Sequence, residues 1–324
     1  MTTLSAIVVD YRGGALLERC LADLRVALAE LAEPSELIVV DNGGELSGVT
    51  GGRLVSTPFN RGFAGGAVAG IAEARGEWIA LVNNDAFLAP DCLVHMLAAG
   101  RGTPRTGSVA PQIRFDGRRD VLNSAGLEVD ALGIGSDRLA GRSVDDPAVR
   151  QPVEVFGATA CVALYRRAML DAVGGFDESF FAYQEDADVA WRARMAGWVC
   201  RYEPRALAWH RGSATAREAT GFKYHLVGRN RVRMIAKNAS PGQLRRHAAG
   251  MLVYDLAYVA FVAMTDRSLA PLRGRLRGLR EWRRYRRAGA PGRRPVALAR
   301  GGWRAALRQR AAYRAAVPGT PPAT

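Results

Sequence analysis

The sequence predicts an α/β fold: a mostly parallel sheet flanked by helices, with a basic helical appendage after it. Three observations predict this. Apolar runs of strand length stand at 4–9 (LSAIVV), 36–40 (ELIVV) and 78–82 (WIALV), and such runs read as strands buried on both faces. A helical pattern with Leu16, Leu17, Leu21, Leu24, Leu28 and Leu31 separates the first two, which makes a βαβ unit with a right-handed crossover. The charge is divided. Residues 241–324 hold 18 Arg against 3 acidic residues, a net of +15, whereas residues 1–240 hold 27 basic and 28 acidic residues. The first 240 residues therefore read as a near-neutral globular domain, with halves at 1–113 and 114–240, and the basicity belongs to residues 241–324.

Composition narrows the classes further. The chain has 324 residues, 48% of them hydrophobic, enough for a sizeable core. Its four cysteines are scattered without paired spacing, so buried thiols in a reducing cytoplasm are expected, with neither a disulfide framework nor a zinc site. No secretory leader is expected at 4–9, which has no basic stretch before it and no cleavage site after it. A nucleic-acid partner is not expected, because no recognition motif accompanies the basic segment.

In chain order, Asp10 and Asp41 follow the first two strands, where open α/β sheets bind ligands. A carboxylate there suits a ribose hydroxyl or base N–H, and a plain Asp-Asn-Gly turn explains Asp41 equally well. Arg53–Ser56 reads as a third strand. Asn60-Arg61-Gly62-Phe63-Ala64-Gly65-Gly66 opens an Ala-rich helix, and glycines at such a start admit a phosphate or nucleotide as readily as they admit close packing. The strand at 78–82 delivers Asn83-Asn84-Asp85. A carboxylate in that position suits a hard cation that also holds a diphosphate. A helix is expected at 90–100 and a strand at 107–113. Residues 114–150 read as an excursion with a hairpin, and strands at 153–156 and 160–165 flank Gly157-Ala158-Thr159. A short helix is expected at 167–173.

The densest stretch runs from Gly174 to Trp198, GGFDESFFAYQEDADVAWRARMAGW. An aromatic loop with Phe180, Phe181 and Tyr183 leads into Glu185, Asp186 and Asp188, and a helix follows. Acidic residues at a helix start are favourable in themselves. The sharper reading is a general base beside an aromatic acceptor platform. Short extended segments at 199–202 and 206–209 then deliver His210, and a basic helix at 224–237 carries Arg229, Arg231 and Arg233, which either neutralise a diphosphate or are simply solvated.

Taken together, IVVDY (7–11), ELIVVDN (36–42), NRGFAGG (60–66), ALVNNDAF (80–87), the block at 157–198 and WHRGSAT (209–215) resemble, in content and order, an inverting nucleotide-sugar glycosyltransferase of family 2, with a Rossmann-like GT-A fold and a rhamnosyltransferase-like character. The resemblance implies transfer of rhamnose or a similar hexose from a dTDP- or UDP-sugar to a hydroxyl of a glycan, glycolipid or lipid-linked acceptor. It implies nucleotide-sugar contacts at Asp10, Asp41, Arg61, Gly62, Asn84 and Arg229. It implies a divalent cation, Mn²⁺ or Mg²⁺, held by Asp85 and His210, although Asn83-Asn84-Asp85 lacks one acid of the fuller DxD motif. Asp186 would be the base, with Glu185 beside it, and Phe181, Tyr183, Gly157 and Thr159 would line the acceptor. A catalytically silent nucleotide-sugar-binding or scaffold relative, and a soluble tailoring enzyme for a secondary metabolite, remain open on sequence alone.

Residues 242–264 read as a helix whose apolar centre, 251–264, is interrupted by Asp255 and too short to span a bilayer. The Arg-dense stretch 273–294 follows Leu272 and is interleaved with Leu276, Leu279, Trp282 and Tyr285. Such a segment suits peripheral contact with an anionic membrane on its cytoplasmic face, and packing on the catalytic domain is the alternative. From Ala315 onward the Pro/Gly-rich end is expected to be disordered.

Overall fold

A computed structural model of the chain describes residues 2–12, 14–44, 46–212, 220–289 and 295–316. The expected disorder at the C-terminus therefore falls, beyond residue 316, outside the described residues, as do Ser213, Ala214 and Thr215 of the last motif and residues 290–294 of the Arg-dense stretch.

One sheet of ten strands organises the molecule, in the order β10-β12-β6-β11-β4-β1-β2-β3, with β5 beside β12 and β7 beside β6. The first half is the expected parallel unit: β1 (Leu4–Asp10), α1 (Gly14–Ala29), β2 (Ser35–Asp41), β3 (Arg53–Ser56), α2 (Gly62–Glu73) and β4 (Trp78–Asn83). All seven residues of β1 are buried. Leu4, Ala6 and Val8 face the core under α1, and Ile7 and Val9 face the core under α2, as the strand period requires. β1 runs parallel to both β2 and β4, and Asp10 stands directly beside Asp41.

The second half is mixed. After β5 (Ala86–Leu88) and α3 (Cys92–Arg101) come β6 (Thr106–Phe115), β7 (Arg118–Ser124), the hairpin β8 (Leu127–Val129) and β9 (Gly135–Asp137), then β10 (Val153–Val155), β11 (Val162–Arg166), α4 (Arg167–Val173), α5 (Glu185–Met195) and β12 (Val199–His210). β11 lies antiparallel between β4 and β6, so the sheet changes direction at its centre. The excursion expected at 114–150 contains the β8–β9 hairpin. The two segments expected at 199–202 and 206–209 are one strand. Its pairing with β6 shifts between Glu203 and Leu207, where Pro204 withholds a ladder donor and a bulge absorbs it. All four cysteines are buried thiols.

Helices follow, the first of them bonded to Asp188 of α5: α6 (Thr220–Asn238), α7 (Pro241–Asp266), α8 (Ala270–Arg280), α9 (Trp282–Ala288) and α10 (Gly302–Ala316). α8 packs tightly on α6, so that a Cβ at Gly274 would meet the His225 carbonyl oxygen at 2.1 Å. The expectation that the apolar part of α7 is too short for a bilayer is corrected here. The helix runs unbroken for 26 residues, about 39 Å, and its Asp255 carboxylate is paired with Arg231 at 2.8 Å and Arg275 at 2.6 Å. By length and composition α7 is sufficient to cross a membrane.

Candidate active site

Three features line the carboxyl ends of the parallel strands. The first is the Asp10–Asp41 edge. Both carboxylates are buried. Asp10 Oδ1 accepts from Asn84 Nδ2 at 2.7 Å. Asp41 accepts from Gly44 N at 3.0 Å and Leu46 N at 2.9 Å, so it shapes the loop after β2 with part of its lone-pair capacity. Asn42 ties that loop to the glycine-rich one: its Nδ2 donates to the Gly62 carbonyl at 2.9 Å and its Oδ1 accepts from Arg61 N at 2.9 Å. Arg61 itself is turned to Glu178, 2.5 Å away.

The second feature is a buried pair, Asp85 and His210, with Oδ1 and Nε2 3.3 Å apart. Distant in sequence, they meet because β5 is hydrogen-bonded to the end of β12, which sets His210 opposite Ala86, and because Arg211 N donates to the Asp85 carbonyl at 3.0 Å. β5 is too short to carry a readable pattern, and the sequence gives no sign of it. Burial opposes charging Asp85, yet the adjacent imidazole holds its carboxyl below the usual range. Burial opposes charging His210 too, but Cys161 and Asp85 together push it well above its usual value. Asp85 is the effective charge, since burial keeps the Cys161 thiol protonated. Among the described residues no three His, Cys, Asp or Glu are grouped to hold a metal. The pair nonetheless fits a cation completed by a ligand's oxygens. Its separation is near the roughly 3 Å expected between adjacent donors of an octahedral ion bound at about 2.1 Å, and Mg²⁺-type sites ordinarily take only one or two protein ligands.

The third feature is the acid cluster at the start of α5. Glu185, Asp186 and Asp188 have three different fates. Burial alone would raise Asp188. Arg192 at 2.7 Å, Lys237 at 3.0 Å and Asn238 at 2.7 Å overcome this and hold it below the usual range, so it is a structural anchor. Glu185 is buried, its Oε2 has no hydrogen-bond partner among the described residues, and burial together with the Asp186 charge pushes it well above the usual range. Asp186 is half-buried. It accepts from Ala187 N at 2.8 Å and Ala160 N at 3.2 Å, with the Thr159 hydroxyl beside it, and burial raises it against those bonds. Both carboxyls of the pair are therefore raised, and Asp186, half-exposed and held by backbone amides, is the member open to the site.

The loop before α5 is strained: Phe181, Tyr183 and Gln184 all have positive φ. It is braced from outside. Asn230 Nδ2 donates to the Phe180, Ala182 and Tyr183 carbonyls at 2.9, 2.8 and 2.8 Å. Arg229, expected at the donor, instead donates to the Ser179 and Phe180 carbonyls at 3.3 and 2.8 Å, and Tyr285 of α9 donates to Ser179 Oγ at 2.8 Å. Gly62 backs onto the same loop. Its φ is +71°, and a Cβ there would meet the Phe181 carbonyl oxygen at 2.3 Å. Gly157 is pressed on α5, where a Cβ would meet Ala190 Cβ at 2.3 Å. Sequence reading missed Asn230, Asn42 and Asp137. Asp137 is pushed up to about 7 by burial, against the Ser124 hydroxyl and with the charge of Asp186 adding to the rise. It lies within electrostatic reach of both Asp186 and His210, and Tyr183 within reach of both Glu185 and Asp85. The Asp85–His210 pair and the acid cluster thus share charged neighbours.

Comparison with known proteins agrees with this geometry. Residues 5–174 match the family profile of Glycosyl transferase family 2. A relative from Mycobacterium tuberculosis, N-acetylglucosaminyl-diphospho-decaprenol L-rhamnosyltransferase, is 30% identical over 244 residues, covering 66% of this chain and 78% of that one. A poly-beta-1,6-N-acetyl-D-glucosamine synthase of Staphylococcus epidermidis is 27% identical over 161 residues, covering 48% of this chain and 36% of that one. Among solved structures, GalNAc-T7 with UDP, GalNAc and Mn²⁺ superposes with a TM-score of 0.56 at 12% identity over 74% of this chain, which spans 49% of that one. The mannosyltransferase PcManGT of Pyrobaculum calidifontis, in complex with GDP-Man and Mn²⁺, gives 0.50 at 16% identity, covering 96% and 80%. The chain belongs to glycosyl transferase family 2 and is a glycosyltransferase of GT-A fold.

Proposed function

We propose that the protein is an inverting hexosyltransferase that moves rhamnose or a similar sugar from a dTDP- or UDP-sugar to a hydroxyl of a lipid-linked glycan. The observation that carries this reading is the geometry at α5: Glu185 is buried with Oε2 unpartnered among the described residues, whereas Asp186 is half-exposed and oriented by the Ala160 and Ala187 amides. Asp186 accepts the proton of the attacking acceptor hydroxyl. The Ala160 and Ala187 amides and Thr159 hold it in place. Asp85 and His210 hold the divalent cation, which when bound offsets charge on the departing diphosphate. The Asp10–Asp41 edge, with Asn84 and the loop of Arg61 and Gly62, receives the nucleoside, and Phe181, Tyr183, Gly157 and Thr159 form the acceptor side. The nature of the acceptor is extended from the name of the mycobacterial relative.

The same reading places the enzyme on an anionic membrane surface, with residues 1–240 catalytic and 241–324 both bracing and membrane-facing. α7 turns its ion pairs inward, whereas Leu252, Val253, Leu256 and Met264 are exposed. α8 buries Pro271, Gly274 and Gly278 and exposes Leu272, Leu276 and Leu279, which alternate with exposed Arg273, Arg277 and Arg280. A one-sided apolar surface rimmed by arginines lies in the interface of an anionic bilayer better than across it.

The test is a transfer assay with dTDP-rhamnose and UDP-N-acetylglucosamine against a short-chain polyprenyl-diphosphate N-acetylglucosamine, with NMR of the new anomeric centre. Inverted product from wild type and none from Asp186→Asn supports the reading, and retained configuration contradicts it. Flotation on vesicles with and without phosphatidylglycerol tests the surface. Wild type is expected to float only on the anionic vesicles, and a Leu256→Glu, Leu276→Glu variant to stay behind. A wild-type protein that ignores the vesicles contradicts the placement.

A further inference from the structure

The C-terminal helix α10 has no part in the reading so far, yet it returns to the catalytic domain and docks on it along its length. Gly302 N donates to Asp130 Oδ2 at 3.2 Å. Gln309 brackets Asp137, accepting from its backbone N at 3.1 Å and donating to its Oδ2. Arg310 pairs with Asp266 at 2.6 Å, and Ala312 fills the space where Gly141 lacks a side chain, 2.9 Å from the position of a Cβ. Tyr313 packs edge-on against Phe115, ring centroids 5.1 Å apart.

Tyr313 reaches His210 through two of its neighbours, Phe115 and Asn123. Phe115 is the cross-strand partner of His210 in the β6–β12 ladder. Tyr313 also lies near Asn123, whose Nδ2 is buried without a hydrogen-bond partner among the described residues and whose Oδ1 lies 3.4 Å from His210 Nδ1. A ring nitrogen that donates to an amide oxygen leaves the other nitrogen's lone pair for a ligand, and such outer contacts set the tautomer and orientation of a metal-binding histidine.

We propose that α10 is part of the cation site: Tyr313 is a positioning residue that, through Asn123 and Phe115, holds His210 with Nε2 turned to the cation. This rests on the reading of Asp85 and His210 as cation ligands.

The test uses the full-length protein and its Tyr313→Phe, Tyr313→Ala, Asn123→Ala and doubly substituted forms. Mn²⁺ affinity in the presence of UDP or dTDP is measured by electron paramagnetic resonance, and nucleotide affinity in EDTA by calorimetry. Tyr313→Ala is expected to weaken Mn²⁺ about tenfold with nucleotide affinity in EDTA unchanged. Tyr313→Phe, which keeps the ring on Phe115, is expected to fall between it and wild type, and the double variant to be no weaker than Asn123→Ala alone. Imidazole ¹⁵N NMR on metal-free protein gives a second readout, in which the His210 resonances move in Tyr313→Ala while those of His95 do not. Unchanged Mn²⁺ affinity with unmoved His210 resonances overturns the inference, as does an equal loss of nucleotide affinity in EDTA. Wild type that binds no Mn²⁺ with either nucleotide contradicts the cation reading itself, and the NMR comparison then decides the positioning role alone.

Discussion

Asp10, Asp41 and Asp85 stand at or just past the ends of three adjacent parallel strands, and the sheet alone brings them together. Asp186 follows a loop in which three residues hold positive φ. Asn230, Arg229 and Tyr285 brace that loop from helices that come later in the chain, and Ala64 N of α2 donates to its Phe181 carbonyl. One half of the site is thus placed by regular structure, the other by side-chain bonds to backbone carbonyls. The difference teaches where each half is vulnerable: the strand-end half loses chemistry when a side chain is changed, whereas the loop half loses geometry when a distant brace is removed.

The largest expected effect lies where both halves meet. Asp186→Asn removes the proton acceptor without disturbing the strand ends, so transfer falls by about 10³-fold while nucleotide affinity stays at wild type by calorimetry. Next comes the anchor. Asp188→Ala strands Arg192 and Lys237 in a buried setting, and urea unfolding should show a loss of about 3–5 kcal/mol. The same anchor sets an acid limit. A depressed folded pKa contributes stability that is complete above the ordinary aspartate value of 3.8 and is lost as pH falls through the folded value. A variant lacking Asp188 should lose that part of the acid transition.

The contrast also explains what was legible in the residues. Strands 4–9, 36–40 and 78–82 could be read because a buried strand writes its burial as consecutive apolar residues, and Asp10, Asp41 and Asp85 were singled out by standing where those runs stop. The acid cluster was legible as a bunch of charges before a helix, but the separate fates of its members were not. Asp188 owes its role to Lys237 and Asn238, two elements later. Arg229 stood open between a diphosphate ligand and a solvated side chain, and its bonds to the Ser179 and Phe180 carbonyls were not legible, because an Arg-rich helix reads the same whatever it faces. α10 was missed outright: its alanines and arginines have no capping signal, and its partners Asp130, Asp137 and Gly141 lie in the weakly patterned excursion.

Smaller effects sharpen the comparison. Gly62→Ala puts a Cβ on the Phe181 carbonyl with φ at +71°. A cost of about 1–3 kcal/mol is expected, together with a raised acceptor KM from the displaced Phe181 loop and a smaller loss of nucleotide affinity, because Gly62 is also tied to Asn42. Glu185→Gln is the mildest. A raised folded pKa means that the native state holds a proton the unfolded chain has released, so stability declines as pH rises from the ordinary glutamate value of 4.5 toward the folded value. The variant removes that decline, and its melting temperature should exceed that of wild type by more at about pH 8 than at about pH 5.

The central claim, that the paired Asp85 and His210 make a cation-dependent donor site, is tested most directly by calorimetric binding of UDP and dTDP, with and without Mn²⁺, to wild type and Asp85→Ala. The account predicts binding that Mn²⁺ strengthens in wild type and no longer strengthens in Asp85→Ala, with one base preferred over the other. Nucleotide binding indifferent to Mn²⁺ in both proteins, or equal strengthening in both, would contradict it.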